Sequence, residues 1–209
     1  MNRRQVLAIS AILPLTVLGF RVRSAAAKAG SLFVDAVLND PDAPVAGNPD
    51  GDVAIVAFLD YNCPYCKRTA PDLKRFLSTD GKVRVVYKDW PILAESSVYG
   101  ARLALAAKLQ GKYGAAHDAL MGIRGQKVSE ASMREAVRAA GVDMAALDRD
   151  LNAHGSDIAD LLKRNDDQAK VLGLQGTPVY LIGPYIVAAA LDYDGFQKAV
   201  ATFRAHIGK

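Results

Sequence analysis

A pair of cysteines, placed where an apolar run gives way to a helical pattern, constrains the fold of this chain more than any other feature. The run Val53 to Leu59 is apolar throughout and predicts a strand buried on both faces. The segment Lys67 to Leu77 has apolar residues at helical spacing. Between them lie the only two cysteines of the chain, Cys63 and Cys66. A strand that leads through a C-x-x-C into a helix is typical of a redox site.

The position of the two thiols at a helix start explains why such a pair is reactive. Free N–H groups and the macrodipole at a helix N-terminus favour negative charge, so Cys63 should ionise more readily than a free thiol. Cys66 falls on the same helix face and can close a disulfide with Cys63. Pro64 suits the first helical turn, where no N–H is needed. We therefore expect an exposed, reactive Cys63 with Cys66 beneath it.

The order of predicted elements indicates an α/β fold. Residues 31–38 favour a short helix, and residues 39–52 form a loop with at most a short edge strand. Strands are predicted at 53–59, 83–88, 179–182 and 185–187, and helices at 63–77, 96–109, 113–121, 129–140, 145–151, 157–172 and 194–207. A β-α-β unit and a β-β-α unit are thus separated by a helical insertion and can share one mixed sheet.

Residues 1–27 have the pattern of an export signal. Arg3 and Arg4 precede a short uncharged core, and the small residues 25–27 follow it as an A-x-A cleavage site. This indicates a periplasmic protein, with the paired arginines as a hint of twin-arginine export. An uncleaved membrane anchor is the alternative.

The charge of the chain depends on this signal. The four charged residues of 1–27 are all arginines, and without them the 26 basic residues fall to 22, equal to the 22 acidic residues. The basic balance therefore belongs to the signal and gives no support for nucleic-acid binding.

With the segment Phe58 to Lys67 and the tripeptide Gly176-Thr177-Pro178 in place, the chain resembles the DsbA-like thioltransferases of the thioredoxin superfamily. The helical insertion stands where that family carries one. The resemblance implies a thioredoxin-like domain at 53–209 with an inserted helical subdomain at about 92–172, after an extension at 28–52. It implies a cis bond before Pro178 in the loop opposite the cysteines.

The resemblance also implies a function and the residues that carry it. Cys63 and Cys66 would be catalytic, with Cys63 as nucleophile and Cys66 as resolving thiol. Pro64, Tyr65, Thr177 and Pro178 would contact the client. The expected function is an exported oxidoreductase, without cofactor or metal, that introduces disulfides into reduced client proteins, is reset by a membrane redox partner and acts as a monomer.

Two positions depart from the family pattern. Ala57 stands where related oxidoreductases often have a buried acid that exchanges a proton with the second thiol, so water, Asp60 or Lys88 would have to serve. Tyr65 stands where strongly oxidising members have histidine, so we expect a milder oxidant.

Two other functions stay open from the sequence. One is a disulfide isomerase or reductase kept reduced in the periplasm. The other is a Cu(I)-binding or redox-sensing dithiol protein. His117, His154 and His206 show no ligand spacing with the cysteines, which disfavours zinc, and His117 is expected on a helix surface.

Overall fold

The computed structural model of the chain describes residues 33–207. Residues 33–38 are helical, as expected, and belong to the first of the two units into which the chain divides. The predicted export signal, residues 1–27, lies outside the described residues. A second compact unit, residues 40–209, contains both cysteines. Within residues 33–207, every helix is too short or too polar to span a bilayer.

The order of elements in the second unit confirms the one predicted from the sequence. The strands are β1 (Val45–Gly47), β2 (Val53–Leu59), β3 (Val83–Asp89), β4 (Val179–Ile182) and β5 (Tyr185–Val187). The helices are α1 (Pro64–Asp80), α2 (Glu95–Lys108), α3 (Tyr113–Gly122), α4 (Glu130–Ala139), α5 (Met144–Ala153), α6 (Gly155–Val171) and α7 (Tyr193–Ile207). Helix α1 continues past the predicted end at Leu77, because Gly81 adopts φ 66° and closes the helix with an N–H bond to the Leu77 carbonyl.

The five strands form one mixed sheet in the order β1-β3-β2-β4-β5. Strands β2 and β3 are parallel and joined through α1, whereas β1, β4 and β5 pair antiparallel with their neighbours. Helices α2 to α6 all lie in sequence between β3 and β4. The carboxyl end of the central strand β2 therefore delivers the chain to the cysteine pair and to α1.

The pleat of β2 and β3 sorts their side chains onto two faces of the sheet. Ala57 and Leu59 share a buried core with Cys63 and Cys66. Phe58 alternates to the opposite face, where its ring meets Trp90 edge-on. Strand β2 is thus buried on both faces, as its apolar sequence predicts.

Lys88 is paired in register with Phe58 and lies on the face away from the cysteines. Its ammonium forms an ion pair of 2.7 Å with Asp40, and both side chains are almost fully buried. Burial alone would raise the pKa of Asp40, but Arg164 and Lys88 hold it at about 2. Lys88 is therefore a paired structural cation and is not available as a proton carrier for Cys66, which was one of the sequence-based options.

His117 corrects an expectation from the sequence. The sequence predicts it on a helix surface, but only 3% of it is exposed. Helix α3 buries the face formed by Tyr113, Ala116, His117 and Leu120, which follow the i, i+3, i+4, i+7 spacing of a packed helix. The His117 ring contacts the rings of Tyr87 and Tyr113, so it belongs to the core beneath the sheet face that carries the cysteines.

Candidate active site at the cysteine pair

Cys63 is the N-cap residue of α1. Its backbone is extended, and its Sγ accepts a hydrogen bond from the Cys66 N–H at 3.4 Å. A sulfur atom thus takes the place that a serine or aspartate oxygen usually occupies at a helix start. Pro64 occupies the first helical turn, as predicted.

The environment of Cys63 favours the thiolate. The pKa of Cys63 is lowered from its usual value of about 9 to about 6. A hydrogen bond from the Cys66 thiol is the largest cause, and burial opposes it. The side chain of Thr177 and the N–H groups of Cys66 and Tyr65 also stabilise the negative charge. Most Cys63 is therefore ionised at neutral pH.

The environment of Cys66 has the opposite effect. The residue is completely buried, and burial raises its pKa far above the usual range. A second negative charge beside the Cys63 thiolate would raise it further. The pair thus holds one proton between two unlike sulfur atoms.

The expected exposure of Cys63 is not found. Only 2% of the residue is exposed, because the loop that carries Thr177 lies over its sulfur atom. Cys63 Sγ lies 3.1 Å from the Thr177 carbonyl oxygen, to which Cys63 donates a hydrogen bond when it is protonated. A reacting molecule must therefore displace this contact.

The loop at 176–178 meets the cysteines from the opposite side of the site. The Thr177–Pro178 bond is cis, as the resemblance implies. Thr177 and Pro178 line a cavity of about 350 Å3 together with apolar residues such as Leu174 and Ile186. The structure thus brings the second sequence motif against the first, although 114 residues separate Cys63 from Thr177.

Pro64 and Tyr65, the two residues between the cysteines, face outward. Both are exposed, Tyr65 to 54%. The Arg68 guanidinium lies 5.1 Å from the centre of the Tyr65 ring, so a cation stacks on the dipeptide from outside. They remain candidates for contact with a client.

Asp60 holds the loop between β2 and α1 in place. Its carboxylate accepts hydrogen bonds from the N–H groups of Asn62, Ile92 and Leu93, and from the Ser97 hydroxyl, at 2.7 to 3.0 Å. All its hydrogen-bonding positions are thereby occupied. Asp60 therefore orients the loop, and its role as a free proton acceptor, which the sequence left open beside water and Lys88, is not supported.

Asn62 also ties the loop between β2 and α1 to residues of the helical insertion. Its amide nitrogen donates to the hydroxyls of Ser96 and Ser97, and its oxygen accepts the Val128 N–H at 2.8 Å. The cysteine loop is thus tied to two parts of the helical insertion. Sequence reasoning missed this role, since nothing in the chain near Asn62 identifies its distant partners.

A buried acid does lie on the cysteine face, at Asp89. In β3, Asp89 follows Val83, Val85 and Tyr87 at alternate positions. This alternation places Asp89 on the same sheet face as those buried residues, and it could have been found in the sequence. The Tyr113 hydroxyl donates to its carboxylate at 3.2 Å. Burial raises the pKa of Asp89 to about 7, and hydrogen bonds from Tyr61 and Tyr113 only partly oppose this.

The same polar cluster includes His117. The Tyr61 hydroxyl lies 3.0 Å from His117 Nδ1. Burial lowers the pKa of His117 to about 4, so its ring is neutral at pH 7. The helical insertion therefore contributes Tyr113 and His117 to a cluster that reaches Tyr61, two residues before Cys63.

The described residues, 33–207, contain no group of three or more histidine, cysteine, aspartate or glutamate side chains that could hold a metal ion.

Comparison with known proteins places this site in a family. Together the fold and the paired thiols define a dithiol protein of the thioredoxin fold. A model of the DSBA-like thioredoxin domain matches residues 54–201, and the chain belongs to this family of thiol-disulfide oxidoreductases. This confirms the resemblance seen in the sequence and the thioredoxin-like fold.

Solved structures agree with this assignment. A thioredoxin-like oxidoreductase from Silicibacter pomeroyi is 41% identical, with a TM-score of 0.76 over 82% of this chain and 97% of that one. The thiol-disulfide exchange protein α-DsbA2 from Wolbachia pipientis is 28% identical, with a TM-score of 0.77 over 87% of this chain and 98% of that one.

Curated relatives are of two kinds. The probable disulfide bond formation protein D of Bacillus cereus is 27% identical over 167 residues, which cover 74% of this chain and 75% of that protein. The Na(+)/H(+) antiporter NhaA 3 of Salinispora tropica is 27% identical over 164 residues, which cover 72% of this chain and 24% of the antiporter. The chain thus spans about a quarter of that longer relative.

The hydrogen bond from Cys66 can be tested by titrating the Cys63 thiolate. Wild-type protein should show a pKa of about 6 by thiolate absorbance. Cys66→Ala removes the donor and should raise the pKa towards its usual value, whereas Cys66→Ser keeps a hydroxyl donor and should give an intermediate value. Cys63→Ser, the control, should abolish the transition. An unchanged pKa in Cys66→Ala would show that the helix start alone sets it.

The raised pKa of Asp89 predicts a dependence of stability on pH. Asp89 stays protonated in the folded protein up to about pH 7 but ionises near 3.8 when unfolded. At Asp89 the folded state thus binds more protons, and the contribution of Asp89 to stability falls as pH rises between these values. Asp89→Asn removes this pH-dependent loss. Between pH 4 and 7.5, the free energy of unfolding of the variant should therefore rise by up to about 4 kcal/mol relative to that of wild type.

Unfolding in denaturant at several pH values measures this difference. The disulfide form should be used for both proteins, so that cysteine ionisation does not contribute. The opposing titration of His117 occurs in both proteins and cancels in the comparison. Equal slopes for variant and wild type would show that Asp89 is ionised in the folded protein.

Proposed function

We propose that this chain is an exported thiol-disulfide oxidase that introduces disulfide bonds into client proteins. The opposite pKa shifts of two touching thiols, Cys63 and Cys66, carry the proposal. A stabilised Cys63 thiolate favours the reduced form of the pair, and a disulfide whose reduced form is stabilised is an oxidant.

The reaction proceeds through a mixed disulfide. A client thiolate attacks Cys63 Sγ, the Cys63–Cys66 bond breaks, and Cys66 leaves and takes up a proton. A second client thiolate then attacks the client sulfur of the mixed disulfide and expels the Cys63 thiolate. Two client thiols are oxidised to a disulfide, and the protein pair gains two electrons. The low pKa of Cys63 makes it a good leaving group in the second step.

The loop at Thr177 and Pro178 would hold the client. When Cys63 is a thiol, the Thr177 carbonyl accepts a hydrogen bond from it. Cys63 has no proton to donate once it is in a disulfide, so that carbonyl becomes available to a client N–H, as in strand addition. Pro64 and Tyr65, both exposed, would contact the same client from the side of α1.

The N-terminal pattern supports a periplasmic location, and the membership of the DSBA-like family supports recycling by a membrane partner. Residues 1–27 would direct the chain to the periplasm. A membrane redox partner would then withdraw two electrons from the reduced pair and restore the disulfide, and the mature chain would act as a monomer.

The direction of transfer can be tested with a reduced peptide that contains two cysteines. Oxidised wild-type protein, mixed with one equivalent of this peptide, should leave most of the peptide as a disulfide and most of the protein as a dithiol, measured by alkylation and mass spectrometry. Cys63→Ser should transfer nothing. Reduced Cys66→Ala, given the peptide disulfide, should accumulate a mixed disulfide at Cys63.

Three results would contradict the proposal. An equilibrium that favours the protein disulfide would indicate a reductase or isomerase. A mixed disulfide formed at Cys66 instead of Cys63 would reverse the roles of the two thiols. Tight Cu(I) binding without exchange would indicate a metal carrier.

A further inference from the structure

A second cavity, of about 670 Å3, begins beside the cysteine pair at Pro64. It lies open between α1 and the segment that leads from the end of α3 into residues 123–126. Its apolar lining comes from Ala70, Pro71, Met121 and Ile123. This cavity is separate from the one at Thr177 and Pro178, with which it shares no lining residue.

The cavity is strongly basic. Lys67, Arg68, Lys74 and Arg124 line it, against the single carboxylate of Asp118. Asp118 is already paired with Lys74 at 2.5 Å. Three cations therefore remain without a carboxylate partner among residues 33–207. We call this site, defined by these five residues, the basic cavity.

Each of the three remaining cations is placed at the cavity. Lys67 donates to the Gly125 carbonyl at 2.8 Å and so ties α1 to the loop. Burial lowers the pKa of Lys67, which means that its charge is incompletely solvated. Arg68 stacks on Tyr65, and Arg124 is exposed on the opposite rim.

The charge here contrasts with the rest of the chain. Residues 28–209 contain 22 basic and 22 acidic residues, so their net charge is zero. The cavity at Thr177 is lined by no charged side chain. Cys63 stands between the two cavities, since its sulfur contacts Thr177 and its neighbour Pro64 lines the basic cavity.

We propose that the basic cavity binds an acidic segment of the client, close in sequence to the cysteine that reacts with Cys63. This inference rests on the proposed function and adds a client class to it. Ten residues of α1 separate Pro64 from Lys74, a length of about 15 Å. An extended peptide covers that length in about five residues. Preferred clients therefore carry Asp or Glu, beside an apolar residue, within about five positions of the cysteine.

Two dithiol peptides test this inference. They differ only in having two Glu or two Gln residues within five positions of one cysteine. Oxidised protein is mixed with each peptide, and the second-order rate of exchange is measured by acid quench and mass spectrometry. Each rate is divided by the rate of the same peptide with 2-hydroxyethyl disulfide, an uncharged reagent, which corrects for the effect of Glu on the peptide thiol.

Wild-type protein should prefer the Glu peptide about fivefold at low salt, the effect of two exposed charge pairs. The preference should disappear at about 1 M salt. Arg124→Glu should abolish or reverse it. Arg149→Glu, a control at an exposed arginine of α5 that does not line the cavity, should leave it unchanged.

Equal corrected rates for the two peptides with wild-type protein would overturn the inference. So would a preference that survives Arg124→Glu or high salt. Failure of the proposed function is distinguishable from these results, because then neither peptide would be oxidised.

Discussion

The contact between two unlike thiols organises the site. Cys63 caps α1, where helix N–H groups stabilise its charge, and the buried Cys66 donates to it from within the helix. Because the pKa of Cys63 is lower in the folded protein than in an unfolded one, the reduced folded form gains stability as pH rises from about 6 to about 9. The same gain is absent from the disulfide, in which neither sulfur can ionise. Folding energy therefore favours reduction of the pair.

The rest of the structure holds the two thiols in this position. Strand β2 ends at the site, and Asp60 and Asn62 fix the connecting loop to α2 and to the loop before α4. The helical insertion is thus part of the active-site support. It also supplies Tyr113, which bonds Asp89, the buried acid on the cysteine face. Asp89 lies on β3, which pairs with the strand that carries Ala57. The family pattern would place a buried acid at the position of Ala57.

Much of the fold could be predicted from local sequence. The spacing of apolar residues predicts the order of strands and helices. The C-x-x-C motif and the Gly176-Thr177-Pro178 tripeptide predict the two segments that meet at the site. The burial of His117 could also have been found, since Tyr113, Ala116, His117 and Leu120 follow the spacing of a packed helix face. The contact of Thr177 with Cys63, and the bonds of Asp60 to Ile92, Leu93 and Ser97, could not be predicted. These contacts join residues more than 30 positions apart, and local periodicity carries no signal of such pairs.

The pH dependence of the reduction potential of the Cys63–Cys66 pair tests the central claim most directly. Below the pKa of Cys63 the pair takes up two protons with its two electrons, so the potential should fall by about 59 mV per pH unit; above it only Cys66 takes up a proton, and the slope should be about 30 mV. Equilibration with glutathione between pH 5 and 8 should show this break at about pH 6. A constant slope of about 59 mV up to pH 8 would mean that Cys63 stays protonated, and would contradict the account.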